Sequence, residues 1–187
     1  MRNSETAFWG GVFDALDSGL IVLDSDGCVL TWNAWMTVAT DMPLGDAVGM
    51  RLGQIFPNAS LRRLNAVVKD AIELGASSLL THSLHPNMLP LKTRMGRTLI
   101  HDVSVRPVGE KPYTQCLIQV FDVSIAAERD QVLRARQNAR YAAVVDNAPD
   151  AILTIDADGL IQFANPAAEG VFHCPAPALV GRPVADL

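Results

Sequence analysis

The sequence predicts an α+β protein: a five-stranded antiparallel sheet with helices over one face, a helical linker, and then the first half of a second copy. Three observations carry this. Within residues 19–123, two strand-like apolar runs come first, a helical stretch follows, and three more strand-like runs close the segment. The segment also repeats. Gly19-Leu-Ile-Val-Leu-Asp-Ser-Asp-Gly27 returns as Ala151-Ile-Leu-Thr-Ile-Asp-Ala-Asp-Gly159, an offset of 132 from 19 to 151. At that same spacing Asp14 matches Asp146, Asn33 matches Asn165, Pro43 matches Pro175, and Val48-Gly49 matches Val180-Gly181. Finally, 49% hydrophobic against 19% charged residues is enough to bury a core and too little charge for a disordered chain.

Gly19 to Leu23 reads as a buried strand, and Asp24-Ser25-Asp26-Gly27 as its turn. Gly27 accepts positive φ there, and Asp24 and Asp26 can cap backbone amides. Cys28 to Trp32 returns as the second strand. Asn33 suits a helix N-cap, opening a short helix to about Thr40. Pro43 and Gly49 divide the next stretch into helical turns. Ser60 to Leu74 is an amphipathic helix with Leu61, Leu64, Val67, Val68, Ala71 and Ile72 on its apolar stripe, stopped by Gly75. Ser77–His85, Thr98–Val105 and Tyr113–Val123 are the remaining strands. Leu99, His101, Val103 and Val105 share one face of the second of these.

From Ser124 to Asn147 no Gly or Pro interrupts a helical pattern about 35 Å long. Ser124 is its expected N-cap, and early Glu128 and Asp130 with late Arg134, Arg136 and Arg140 match the helix dipole. Its apolar residues, Leu133 among them, are too few for a lone helix, so a partner helix is expected.

Composition excludes several functions. A net charge of −5 argues against general nucleic-acid binding. No apolar run approaches the ~18 residues of a membrane span, and no signal-peptide core follows Met1, so a cytoplasmic location without membrane insertion is expected. Cys28, Cys116 and Cys174 form neither a disulfide framework nor a zinc motif. No phosphate loop or catalytic motif appears, so no catalytic residue and no metal site is assigned.

The strand ending in Asp24-x-Asp-Gly27, the Asn33 that opens a helix, the Val48-Gly49 turn and the exit triplet Asp122-Val-Ser124 followed by Glu128-Arg129 together resemble a PAS domain. The second copy resembles the start of another, in the style of soluble sensor histidine kinases. The resemblance implies a complete PAS domain over 8–123, a signalling linker over 124–140, and the N-terminal part of a second domain over 141–187, so that the chain is expected to be a fragment. It further implies a sensory and dimerisation module. A homodimer would form through the linker and the PAS domain, feeding a downstream output domain: a histidine kinase, or alternatively a diguanylate cyclase or phosphodiesterase. Asp122, Ser124, Glu128 and Leu133 are the expected relay, and Asp24, Asp26, Gly27, Asn33 and Gly49 the structural turn and cap set.

A small ligand cavity is the other implication. Trp32, Trp35, Leu64, Val68, His82, His101 and Gln119 are its candidate lining. No cofactor is assigned; haem and flavin are the redox alternatives. The stretch Gly49-Met-Arg-Leu-Gly-Gln54 lacks the cysteine of light-sensing flavin relatives, and Ser60–Leu74 lacks an axial histidine. His82 by parity with Leu80 and Leu84, and His101 with Leu99, could face the helices, either as satisfied histidines or as ligands. Gln119 reads as a ring-contacting residue or as a satisfied polar group facing the linker helix.

Overall fold

The structure is a computed structural model. It describes residues 2–187, with side chains from Ala7 onward. The chain divides into two compact units, Met1–Ala127 and Glu128–Leu187.

The first unit contains α1 (Arg2–Ala15), β1 (Gly19–Asp24), β2 (Val29–Trp32), α2 (Ala34–Thr40), α3 (Leu44–Ala47), α4 (Leu52–Ile55), α5 (Arg62–Leu74), β3 (Ser78–Leu80), β4 (His101–Val108) and β5 (Gln115–Asp122). The five strands form one antiparallel sheet in the order β2-β1-β5-β4-β3. Strand alternation assigns the faces: Ile21 pairs with Ile118, and Ile118 with Val105, so these side chains share the inner face. All three are fully buried, as are Leu23, Cys116, Val103 and Val120 on the same face. Against them pack Leu64, Val67 and Ala71 of α5 and Met36 of α2. At Gly19 the lack of a side chain is required. A Cβ there would lie 2.6 Å from Met36 Sδ and 2.7 Å from Trp35, so α2 could not approach β1 as it does.

Several boundaries differ from the sequence expectation: β4 runs His101–Val108 in place of Thr98–Val105, and β5 Gln115–Asp122 in place of Tyr113–Val123. An additional helix, α1, precedes β1. The second strand begins at Val29, because Cys28 instead bridges Arg51. The long helix starts at Arg62. β3 stops at Leu80, and Thr81 turns the chain, its carbonyl accepting from the amides of Leu84 and His85. His82 therefore lies outside any strand, and Leu84 is 78% exposed. Between Leu91 and Leu99 the connection to β4 folds into a small hairpin, with Lys92 bridging Thr98 and the Leu99 amide bonded to the Leu91 carbonyl.

Helix α6 (Ser124–Asp146) leads into the second unit, which holds β6 (Leu153–Ile155), β7 (Ile161–Ala164), α7 (Pro166–Phe172) and α8 (Ala176–Leu179). Its core is small: Ile161, Ala164, Ala168 and Leu179. The turn of the sequence repeat is matched in its hydrogen bonds. Asp24 Oδ1 accepts from Asp26 and Cys28, and Asp156 Oδ1 from Asp158 and Leu160. The Cys28–Arg51 bridge recurs as Leu160–Pro183. The helix after each asparagine ends in a left-handed residue, Asp41 in one unit and His173 in the other.

Candidate functional site

The turn residues behave unequally. Asp24 is the capping acid, Asp26 supplies only an amide to it, and Gly27 sits at φ +77°, with Gly49 at +81°. Asn33 is wholly buried and fully used. Its Oδ1 accepts from Leu20 at 3.0 Å and from Met36 at 3.3 Å, and its Nδ2 donates to the carbonyls of Ser18 at 2.8 Å and Phe13 at 3.2 Å. One side chain thus caps α2, joins it to β1, and holds the last turn of α1 by a carbonyl that has no helical partner. Asp14 adds a second tie, its Oδ1 accepting from the Ala34 amide. Asn165 repeats the asparagine joint: it accepts from Ile152 and Ala168 and donates to Asp150 and to Val145, in the last turn of α6. Pro166 replaces Ala34 and has no amide for Asp146 to accept from.

The exit of the sheet is equally specific. The Ser124 hydroxyl accepts from the Ile100 amide at 3.0 Å and lies 3.4 Å from the Ile100 carbonyl, which also accepts from the Val123 amide. Asp122 Oδ1 accepts from the Ser124 amide at 2.9 Å. Ser124 therefore does not cap its own helix as expected. Its side chain latches the helix to the strand side, and Val123 supplies the first helical carbonyl, to Ala127. Beyond this latch α6 buries none of its residues, and Ile125, Val132 and Leu133 are all more than half exposed. Glu128 is exposed as well. No acid lies in the first turn and no base in the last, so no charge of α6 complements its dipole, and Asp146 in the last turn opposes it.

The candidate cavity residues are not brought to one place. Trp32 and Leu64 are sealed in the core, Trp32 donating from Nε1 to Thr37. Val68 lines a cleft of about 430 Å³ between the Ser25–Gly27 turn, Arg51–Gln54 and α5. Trp35 lines a separate small cavity of about 140 Å³ with Asp122 and Leu99. Gln119 shares strand parity with Leu117 and Phe121, on the face opposite Ile118 and so away from the core helices α2 and α5, and donates to Ser18 Oγ. His101 is buried, with Nδ1 at 3.1 Å from the Leu99 carbonyl and Nε2 accepting from the Leu89 amide at 3.2 Å. Both ring nitrogens are occupied, and burial lowers its pKa below the ordinary 6.5. That geometry leaves no nitrogen for haem or metal. His82, outside the strand, pairs through Nδ1 with Asp102 Oδ1 at 2.8 Å. Burial pushes the Cys116 thiol up to about 11, so it packs as an inert apolar group.

Sequence reasoning missed α1 and the hairpin over Leu91–Leu99. Phe8, Val12 and Leu16 do recur at helical spacing, but Gly10-Gly11 interrupts them. Thr93-Arg-Met-Gly96 carried a turn signal, with Gly96 at φ +76°.

A family model described as a PAS domain matches residues 17–124, and one described as the PAS fold matches 139–187, consistent with a tandem arrangement. No curated protein matches the chain. Among solved structures, an RNA-binding light-oxygen-voltage receptor is 14% identical over 75% of this chain and 39% of its own, with a TM-score of 0.53, a likeness of fold. A sensory box sensor histidine kinase from Vibrio cholerae is 18% identical over 65% of this chain and 94% of its own, with a TM-score of 0.47. The PAS domain of nitrogen regulation protein NR(II) from Vibrio parahaemolyticus is 16% identical over 60% and 95%, with a TM-score of 0.44.

Proposed function

The chain belongs to the PAS-domain family, and from that membership we propose that it is the sensory and dimerisation input region of a bacterial sensor histidine kinase. In this reading 8–123 is a complete sensory domain, 124–140 the signalling linker and 141–187 part of a second domain. The chain itself performs no catalysis and passes a ligand or partner signal through α6 to an output domain.

The observation that supports this is the way α6 is held. Ser124 ties its first turn to Ile100, and Asn165 ties its last turn at Val145. A helix fixed to a sheet at one end and to a strand-turn-helix unit at the other transmits a displacement rather than absorbing it. Between those ties lie exposed Val132 and Leu133, suited to pairing with the same helix of a second copy. Ala139, Ala142 and Ala143 extend that seam, and so alanine-rich a seam pairs weakly, which suits a two-state relay.

Leu133→Glu tests this reading. It should weaken the dimer about tenfold or more by sedimentation, leave circular dichroism of the fold unchanged, and uncouple output in the full-length parent. A variant that stays as dimeric and as signal-responsive as the wild type refutes the relay.

A further inference from the structure

We propose that the groove between α2 and the Leu91–Leu99 hairpin is a binding site for a small monoanionic amphiphile, an apolar chain or ring bearing one carboxylate, and that its occupancy acts on the Ser124 latch. The groove encloses about 720 Å³, within the size range of small-molecule sites. Val38, Met42, Ile55, Phe56 and Pro90 give it an apolar lining, and Val38 is 46% exposed there. Lys92 and Arg94 line it from the hairpin. Neither has a carboxylate within ion-pair distance among the described residues, in a chain whose net charge is −5.

Charge fixes the ligand class. Lys92, Arg94, Val38, Ala39 and Thr93 also line the small cavity that holds Trp35 and Asp122, so the two cations stand between the groove and that carboxylate. Asp41 lines the groove itself. The groove's own lining sets two cations, Lys92 and Arg94, against one acid, Asp41, which leaves one positive charge to be met by a monoanion and disfavours a dianion. Arginine and lysine together give a carboxylate charge-assisted hydrogen bonds, and the apolar lining takes the tail.

Contiguity supplies the effect. The Lys92 amide donates to the Ala39 carbonyl of α2, and the Leu99 amide closes the hairpin onto Leu91. The next residue, Ile100, is the one whose backbone Ser124 grips. A ligand that draws the hairpin onto α2 therefore fixes the strand end to which α6 is latched. The consequence for α6 rests on the sensory reading above; the binding does not.

Calorimetry on the whole chain with decanoate as probe tests the binding, with decanol and acetate as tail-only and head-only controls. Decanoate should bind saturably, and each control at least about tenfold more weakly. Lys92→Ala/Arg94→Ala, both exposed positions, should weaken decanoate about tenfold or more with unchanged circular dichroism, whereas Arg51→Ala, in the other cleft, should not. Decanoate should also slow amide exchange at Ala127. Absence of saturable decanoate binding, equal binding by the hairpin variant, or loss on Arg51→Ala overturns the site. Saturable binding with unaltered exchange at Ala127 overturns its action on the latch. Leu133→Glu, which tests dimerisation, leaves decanoate binding intact, so failure of the relay and failure of this site are told apart.

Discussion

Replacing Asn33 by alanine tests the central joint of the first unit. Asn33 makes four hydrogen bonds from a wholly buried side chain. Loss of the cap on α2 alone costs about 1 kcal/mol. Alanine also strands the Leu20 amide and the Ser18 carbonyl in the interior, at about 1–3 kcal/mol each. The sum is about 3–7 kcal/mol, a large share of the ~5–15 kcal/mol that holds a typical domain. Urea unfolding followed by the near-ultraviolet dichroism of buried Trp32 reads this loss. Asn33→Asp probes the donated bonds. It keeps the acceptor for Leu20 and Met36 but sets a wholly buried carboxylate against the Ser18 and Phe13 carbonyls, so it should cost at least as much as alanine and raise amide exchange in the last turn of α1. A loss of about 1 kcal/mol or less for the alanine variant would mean that Asn33 is a cap and nothing more, and the joint with α1 would be refuted.

Gly27→Val should cost about 1–2 kcal/mol through backbone strain alone, since φ is +77° and nothing lies within 4 Å of an added Cβ; an unchanged melting temperature would contradict this. Ser124→Ala should cost about 1–2 kcal/mol and raise amide exchange at Ile100 and Ala127, while Ser124→Thr keeps the hydroxyl and should preserve protection. His101 is held neutral, with its folded pKa below the unfolded 6.5. The unfolded chain therefore binds more protons in the window beneath 6.5, and stability present above that value falls as pH drops through it. His101→Gln should flatten this slope in unfolding measured between about pH 5.5 and 7.5, and an undiminished slope would assign it to other groups.

The legible parts were those set by neighbours in sequence. Asp24, Gly27 and Asn33 act within one strand-turn-strand-helix segment, so their residue types alone predict their bonds. The same holds for the apolar stripe of α5, whose Leu64, Val67 and Ala71 all lie in the core. Long-range choices were not legible. Cys116-Leu-Ile-Gln-Val-Phe121 is apolar on both parities, so nothing local says that Gln119 turns away from the helices. The strand expected through His85 ends at Leu80 because Asp102, twenty residues away, takes both the amide and the ring of His82. Ser124 looked like a cap until the backbone of Ile100, distant in sequence, competed for its hydroxyl. The candidate cavity scatters for the same reason: residue type does not fix the face of a strand or helix on which a side chain lies, and the fold sorts these residues by face.

The two asparagine joints carry a consequence for how such chains are assembled. Asn33 and Asn165 grip their helices by main-chain carbonyls, Phe13 in one and Val145 in the other, and touch neither side chain through these bonds. A socket that recognises only a peptide carbonyl is indifferent to the residue presenting it. The incoming helix is then interchangeable, and its sequence is free to change to suit whatever lies at its far end while the attachment stays the same. Only the supplementary tie reads a side chain: Asp14 reaches the Ala34 amide, and Pro166 removes the counterpart at the second joint. One joint is thus pinned at two points and the other at one, so under the same load the second swivels first.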